Sequence, residues 1–194
     1  MTDKIKRAER NMENILPELR PGLVLNMSTN SLFGRLIRFA LARDWKDSRE
    51  CPNHDAMVVK HDGKLWIGES QPPVARLTPI EEYEAQIKSG FIYRFRVLEV
   101  VGATTEQEEA ASEWWLDYVR NSPYDYKGIF RLLVKVIFGN WFKAAAGWEW
   151  ARWCSEGVAD AWRCGGESDP WGKNNPTPLT TLTRFKQGKF RLVE

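Results

Sequence analysis

The stretch HDAMVVKHDGKLWIGE, residues 54–69, decides the fold because it has the pattern of a tight β-hairpin. Apolar side chains alternate with others on both sides of Asp62-Gly63, a dipeptide typical of two-residue hairpin turns. Centring the turn on this dipeptide places Glu69 opposite Ala56. Side chains two apart on a strand share a face, so we expect His54 and Glu69 to be diagonal neighbours, with backbones about 7–8 Å apart. A register slip of one residue would move Glu69 to the other face.

A cysteine lies at the start of a predicted helix, in Trp153-Cys154-Ser155-Glu156. The positive end of a helix dipole and its unpaired N–H groups stabilise a thiolate, which is the nucleophilic form of cysteine. A thiolate, an imidazole and a carboxylate that orients the imidazole are the groups with which cysteine hydrolases form a thioester acyl-enzyme. We therefore predict a catalytic triad of Cys154, His54 and Glu69, in which the backbone N–H of Cys154 contributes to an oxyanion hole.

Each of these residues also has an ordinary structural interpretation, since free cysteines are commonly buried and most strand glutamates are solvated. The joint placement of the three favours catalysis. Asp55 points away from His54 in the same pattern, so we expect it to be structural or to support the site from outside the triad. His61 falls in the predicted turn, Cys51 in a polar loop and Cys164 at a helix end, and we expect these three to be bystanders.

The chain of 194 residues is 43% hydrophobic, which is enough for one packed domain. Its 28 basic and 26 acidic residues nearly balance, which gives no support to nucleic-acid binding. Three widely spaced cysteines fit neither a disulfide framework nor a zinc site, and we predict no cofactor and no metal. The N-terminus lacks an apolar signal segment, so we expect a cytoplasmic protein; a lytic role in a phage or bacterium would need another route to the cell wall.

Periodicity, capping residues and turn signals predict the other elements. The predicted helices cover residues 3–16 (within an N-terminal helical segment, 1–19), 32–43, 79–88, 106–121, 129–138 and 154–164. The predicted strands cover residues 23–27, 54–60, 65–69, 91–97 and 190–193, and a loop is predicted over 71–77. Thr78 and Thr105 are each predicted to cap the helix that follows, in a capping box.

Residues 126–150 form a long apolar insert that is rich in tryptophan. The helix predicted over 129–138 is too short, and too interrupted by Arg131 and Lys135, to span a bilayer. We expect the insert to pack over the cleft beside Cys154; the alternative is that it lies on a membrane surface or walls a lipid pocket. The candidate substrate-binding residues are five aromatic side chains in or near this insert: Tyr124, Tyr126, Trp148, Trp150 and Trp153.

Several segments, in this order, resemble the circularly permuted branch of the NlpC-type papain-like cysteine peptidases, which is related to lecithin retinol acyltransferase-like proteins. Residues 20–25 (RPGLVL) and 31–38 (SLFGRLIR) resemble the opening strand and helix of that family. Residues 53–59 (NHDAMVV) and 67–70 (IGES) resemble its histidine and acid strands. Residues 153–156 (WCSE) resemble the start of its nucleophile helix, and residues 122–126 (SPYDY) resemble the segment before that helix.

The resemblance implies a single α+β domain over residues 1–194, with a papain-like antiparallel half-barrel sheet and packed helices. It also implies that the helix of Cys154 docks against the sheet that carries His54 and Glu69. One departure is Leu23, because the opening strand of the family usually carries an acid at this position. That acid is not one of the three catalytic groups.

The expected function is a cysteine peptidase or amidase that acts on an amide of a peptide or of peptidoglycan. One alternative is an acyltransferase or thioesterase for lipid-like acyl groups, which the apolar insert would suit. Another is a non-catalytic binding or structural module on the same fold, against which an intact triad argues. The sequence leaves hydrolysis and acyl transfer both open.

Overall fold

The computed structural model describes residues 16–42, 51–127, 130, 154–172 and 176–193. The strands are β1 (Val24–Thr29), β2 (His54–His61), β3 (Lys64–Gln71), β4 (Val74–Thr78), β5 (Ile92–Val100) and β6 (Phe190–Leu192). The helices are α1 (Leu32–Ala42), α2 (Ile80–Lys88), α3 (Thr105–Trp114), α4 (Cys154–Asp160) and α5 (Pro178–Lys186). Helices α3 and α4 each continue as a π-helical turn, Trp115–Val119 and Ala161–Gly165.

The hairpin of β2 and β3 has the register predicted from the sequence. Asp62 and Gly63 have φ angles of 50° and 74°, the left-handed pair that a two-residue type I′ turn requires. The ladder runs from the pair His61–Lys64 to the pair Met57–Gly68 without a shift. The next position in this register places Glu69 across from Ala56, as predicted.

The two strands of this hairpin separate at the end away from the turn. Beyond the pair of Met57 and Gly68, β2 continues beside β1 as far as His54. Over the same distance β3 continues beside β4 as far as Gln71. At the end that carries His54 and Glu69, β2 and β3 therefore have no described backbone pairs. They are connected there by side chains.

The described strands form one antiparallel sheet in the order β4-β3-β2-β1-β5-β6. The predicted α+β class, with helices packed on an antiparallel sheet, is confirmed. The order is open, with β4 and β6 at the two edges. The papain-like half-barrel is not confirmed.

Helices cover both faces of the sheet. One face packs against α3, α4 and their π turns, with three fully buried tryptophans, Trp115, Trp162 and Trp171. The other face packs against α2, whose Tyr83 joins a cluster of side chains from β1, β2 and β5. Successive strand residues point to opposite faces, so the neighbours on β2, His54 and Asp55, belong to different layers.

Two elements differ from the sequence prediction. The loop predicted over 71–77 is wrong because β4 occupies Val74–Thr78, a short edge strand directly after Pro72-Pro73, whose prolines suggested a loop. Helix α5 was not predicted, although its start carries a usual signal. Thr177 caps it by accepting a hydrogen bond from the backbone N–H of Thr180, and Pro178 is its first residue.

The predicted caps also differ. The threonine that caps α3 is Thr104, one residue before the predicted Thr105, and it forms its capping box with Gln107. Thr78 does not cap α2, because its hydroxyl donates to Glu69 instead. Both threonines sit next to a helix start, so local sequence does not distinguish a cap from a neighbour of the cap.

Some predictions fall on residues outside the described ranges. These are the helix over 129–138, nearly all of the insert 126–150, and the N-terminal segment 1–19 apart from a 3-10 turn at Leu16–Glu18. Among the helices that the structure describes, none has the length and apolar character needed to cross a membrane. The single-domain organisation stays a prediction.

Gly157 allows α4 to lie close to the sheet. A Cβ atom at this position would lie 2.9 Å from Val119 Cγ1 and 3.2 Å from Ser70 Oγ. Alanine forms helix better than glycine by about 1 kcal/mol, but Val119 is buried and β-branched and cannot turn away. We predict that Gly157→Ala lowers the free energy of unfolding by about 1–3 kcal/mol. Urea unfolding followed by tryptophan fluorescence measures this change, and a stabilised variant would contradict the close packing.

Candidate active site

His54 and Glu69 are in contact where β2 and β3 separate. His54 Nε2 lies 3.0 Å from Glu69 Oε2, and the two side chains are 10% and 0% exposed. The strand alternation and hairpin register placed both residues on one face. The structure brings them together there as predicted.

Four further side chains surround the carboxylate of Glu69. Thr78 Oγ1 donates to Oε1 at 2.5 Å, and Gln71 Nε2 donates to Oε2 at 2.6 Å. The hydroxyl of Tyr83 donates a short hydrogen bond to Oε2, and the guanidinium of Arg76 lies 3.4 Å from Oε1. The donors come from β3, β4 and α2, so three elements converge on one buried anion.

Burial is the largest influence on the pKa of both His54 and Glu69, and it disfavours both charges. For Glu69, hydrogen bonding and charge from His54, followed by the hydroxyls of Thr78 and Tyr83, outweigh burial and lower the pKa to about 2. For His54, hydrogen bonds and negative charge from Cys154 and Glu69 outweigh burial and raise the pKa to about 10. The surroundings therefore favour an imidazolium at neutral pH.

Cys154 is the first described residue of α4 and is 4% exposed. It is close enough to His54 to raise the pKa of the imidazole, and its Sγ lies 3.8 Å from Ser155 Oγ. The imidazole of His54 thus interacts with both the sulfur and the carboxylate of Glu69. This is the order of groups that lets an imidazole exchange a proton with a thiol while an anion holds the ring.

Asp55 anchors the helix of Cys154 to the sheet. One of its carboxylate oxygens accepts hydrogen bonds from Ser155 Oγ at 2.7 Å and from Thr181 Oγ1 at 2.8 Å. The other accepts from Asn26 Nδ2 at 2.7 Å. Burial raises the pKa of Asp55, and these three hydrogen bonds oppose the rise. The prediction that Asp55 faces away from His54 agrees with this position, but its partners on α4 and α5 were not foreseen.

A cleft of about 240 Å³ lies beside His54 and is lined in part by Tyr124. Tyr124 is 3% exposed and its ring packs edge-on against that of Tyr126, with 5.4 Å between centroids. Tyr126 is 48% exposed. The predicted substrate-binding role of both tyrosines stays a prediction. The three predicted tryptophans, Trp148, Trp150 and Trp153, lie outside the described residues.

The rest of the lining is mixed in polarity. Its apolar residues include Leu32 of α1 and Phe91 before β5, which are 74% and 38% exposed. Its polar residues include Asn53 and Ser70. Cys154 is not among the described residues that line the cleft, but His54, whose pKa it raises, is one of them.

The remaining histidine and cysteines lie elsewhere in the structure. His61 Nε2 lies 3.0 Å from Arg120 Nη1. Cys51 is fully buried, and burial raises its pKa to about 11. Cys164 is an exposed free thiol. Across the described ranges, no group of three or more His, Cys, Asp or Glu side chains is placed to hold a metal ion.

Sequence reasoning missed the side chains that hold Glu69. Thr78 was interpreted as a helix cap, and Tyr83 was not considered. A buried glutamate carboxylate needs hydrogen-bond donors besides the histidine. This requirement would have predicted that hydroxyl groups from the next strand and helix contact Glu69. Ser70, which lines the cleft, was not singled out either, because its side chain points to the opposite face from its neighbour Glu69.

The chain was compared with known proteins. No family model matches it, and no curated protein gives a significant sequence match. Its fold is similar to the crystal structure of metalloprotein yiiX from Escherichia coli O157:H7, DUF1105, with a TM-score of 0.56 and 15% sequence identity. The similarity covers 90% of this chain and 96% of that chain. At this identity it shows the fold alone.

These comparisons overturn the resemblance to the circularly permuted NlpC-type cysteine peptidases. No family model supports that assignment, and the structural neighbour is described as a DUF1105 metalloprotein. The assignment was wrong because its segments are short. An alternating hairpin, an amphipathic helix and a polar helix start are composed of residue types that many unrelated folds share. The case for a function therefore depends on the site itself.

We predict that Glu69→Gln destabilises the protein in a pH-dependent way. The pKa of Glu69 falls from its usual 4.5 to about 2 in the folded chain. Ionised Glu69 therefore stabilises the folded state fully above about pH 4.5, and this stabilisation is lost as the pH falls towards 2. The difference in unfolding free energy between wild type and variant is expected to be largest near pH 7 and to shrink below pH 4.5. Urea unfolding across this range measures it, and a pH-independent difference would contradict the prediction.

Proposed function

We propose that this protein is a cysteine hydrolase that cleaves an amide, in a peptide or a peptidoglycan-type substrate, through a thioester acyl-enzyme. The observation that supports this best is the interaction of one imidazole with both a thiol and a buried carboxylate, beside a cleft.

The proposed reaction has two halves. The sulfur of Cys154 attacks the substrate carbonyl carbon as a thiolate, with its proton held on His54, and forms a C–S bond. The tetrahedral intermediate collapses, the C–N bond breaks, and His54 gives its proton to the leaving amine. A water molecule then gives a proton to His54 as it attacks the thioester, and Cys154 leaves as the thiolate. Glu69 keeps the imidazole oriented throughout.

The electrostatics argue against a purely structural role. Burying charged groups is costly even when they are paired, and apolar side chains of similar volume are often at least as stable. A chain that used these residues only for packing would gain nothing from holding a histidine, a thiol and a carboxylate together. Groups with strongly shifted pKa values beside a cleft are typical of functional sites.

The structural neighbour, yiiX, is described as a metalloprotein. The described part of this chain contains no group of three ligating side chains arranged for a metal ion. Glu69 is also already surrounded by hydrogen-bond donors, which leaves its oxygens poorly placed to bind a cation. We therefore derive no step of the reaction through a metal.

A second candidate is acyl transfer or thioester hydrolysis on substrates with an apolar acyl group. The apolar lining residues favour it, because Leu32 and Phe91 are exposed in the cleft and would contact such a group. The same thioester intermediate serves both candidates. They differ in whether water or another acceptor receives the acyl group.

The first test of the proposal is selective alkylation. At about pH 6 an ordinary cysteine is almost entirely a thiol and reacts slowly. We predict that iodoacetamide modifies Cys154 at least about tenfold faster than the exposed Cys164, because His54 holds the proton and leaves a thiolate. Buried Cys51 is expected to be the slowest. Peptide mass spectrometry after short exposures measures the three rates.

Two histidine variants provide the matched comparison. His54→Ala is expected to abolish the selectivity for Cys154, and His61→Ala is expected to leave it unchanged because His61 contacts Arg120 instead. Equal labelling of Cys154 and Cys164 in the wild type would remove the basis for a nucleophile. A larger loss of selectivity in His61→Ala than in His54→Ala would show that His54 is not the histidine that activates Cys154.

The acyl-group candidate is tested at the cleft. We predict that Leu32→Ser raises KM for p-nitrophenyl octanoate roughly tenfold while leaving p-nitrophenyl acetate unaffected, because only the longer chain can bury surface against Leu32. Phe39→Ser is the control, since Phe39 is exposed to a similar extent on the same helix but does not line the described cleft. Equal effects of the two variants, or none on either ester, would remove the support for an apolar acyl substrate.

A further inference from the structure

Ser70 carries a hydroxyl that is almost fully buried. The residue is 2% exposed, and its Oγ has no hydrogen-bond partner among the described residues. Burying a hydroxyl that forms no hydrogen bond costs about 1–3 kcal/mol. Alanine would fit the same space without that cost, so the presence of serine calls for a functional explanation.

The position of this hydroxyl suggests what it serves. Ser70 lines the same cleft as His54 and Tyr124. It follows Glu69 on β3, and its Oγ would lie 3.2 Å from a Cβ atom placed at Gly157. Gly157 is three residues after Cys154 and so lies on the same side of α4. The hydroxyl is therefore beside the first described turn of the helix that carries Cys154.

We propose that the Ser70 hydroxyl donates a hydrogen bond to the carbonyl oxygen of the substrate during acyl transfer to Cys154. This inference rests on the hydrolase function proposed above. When the sulfur forms its bond to the carbonyl carbon, the π electron pair of the carbonyl moves to its oxygen, which becomes an oxyanion. The oxyanion accepts the hydrogen bond from Ser70, and the predicted second donor is the backbone N–H of Cys154. On collapse the pair returns to the carbonyl and the leaving group departs.

Another buried hydroxyl provides a matched control. Ser122 Oγ also has no hydrogen-bond partner in the described part of the chain. Ser122 is not among the described residues that line the cleft. The two serines share their chemistry and their unpaired state, and they differ in access to the site.

The experiment compares Ser70→Ala, Ser122→Ala and wild type with two reagents. The first is p-nitrophenyl butyrate, whose reaction with Cys154 passes through an oxyanion. The second is iodoacetamide, which alkylates the sulfur by displacing iodide and forms no oxyanion. The release of p-nitrophenolate, the mass of the butyryl adduct and the alkylation rate of Cys154 are measured, with thermal unfolding as a check of folding.

We expect Ser70→Ala to lower the acylation rate roughly 100-fold, the usual effect of removing one oxyanion donor. Its alkylation rate and melting temperature are expected to equal or exceed those of wild type, because no protein hydrogen bond is lost. Ser122→Ala is expected to match wild type with both reagents. A variant that is slowed equally in acylation and alkylation would point to a structural role for Ser70 and overturn the inference.

The remaining outcomes separate the two proposals. Equal acylation of wild type and Ser70→Ala would overturn the role of Ser70 and leave the hydrolase proposal standing. A wild-type protein that is alkylated at Cys154 but never acylated by the ester would overturn the hydrolase proposal and this inference with it. A similar acylation loss in Ser122→Ala would show that the effect is not specific to the cleft, and would also overturn the inference.

Discussion

The side chain of Glu69 is fully buried, and a carboxylate taken out of water has to be compensated within the protein. The compensation comes from a cation, His54, and from hydroxyl groups on β4 and α2, those of Thr78 and Tyr83. The edge strand and the helix that follows it are therefore tied to the chemistry of the site. If either moved away, the carboxylate would lose donors and the imidazolium would lose the anion that stabilises it.

The same constraint acts on the other side of the imidazole. In the proposed reaction, the imidazolium of His54 lies between the thiolate of Cys154 and the carboxylate of Glu69, and it holds its proton until one of those anions changes. The sulfur of Cys154 is the member that changes during a reaction, because bonding to carbon removes its negative charge. The proton on His54 then loses part of its stabilisation at the moment when a leaving group needs it. In this mechanism, the loss of charge on the sulfur makes His54 release its proton at the step at which the leaving group needs it.

The sequence predicted the parts of the site that depend on local pattern. Alternation and Asp62-Gly63 were sufficient to place His54 beside Glu69, because a two-residue turn leaves only one register. The helix that contains Cys154 was recognised from its local composition, and Cys154 is its first described residue. The contacts of Thr78, Tyr83 and Asp55 could not be predicted in this way, because they join elements whose relative positions are set by the packing of the whole sheet.

The errors also have local causes. The prolines that precede β4 are typical of a loop, so the strand was not predicted. Helix α5 was not predicted because its cap lies in a segment rich in proline and asparagine. The family assignment failed for a different reason, because it treated a set of common local patterns as specific. The similarity to metalloprotein yiiX at 15% identity shows that two very different sequences can form a similar fold.

Consecutive residues on β2 have opposite tasks: His54 faces the carboxylate, while Asp55 holds α4 and α5. The insertion or deletion of one residue between His54 and the hairpin turn would exchange these tasks and disable both faces together. Homologous chains that keep this site are therefore expected to vary in length elsewhere, and to conserve the number of residues from 54 to 69 more strictly than the identity of most of them. This spacing could therefore identify distant relatives even where individual side chains have changed.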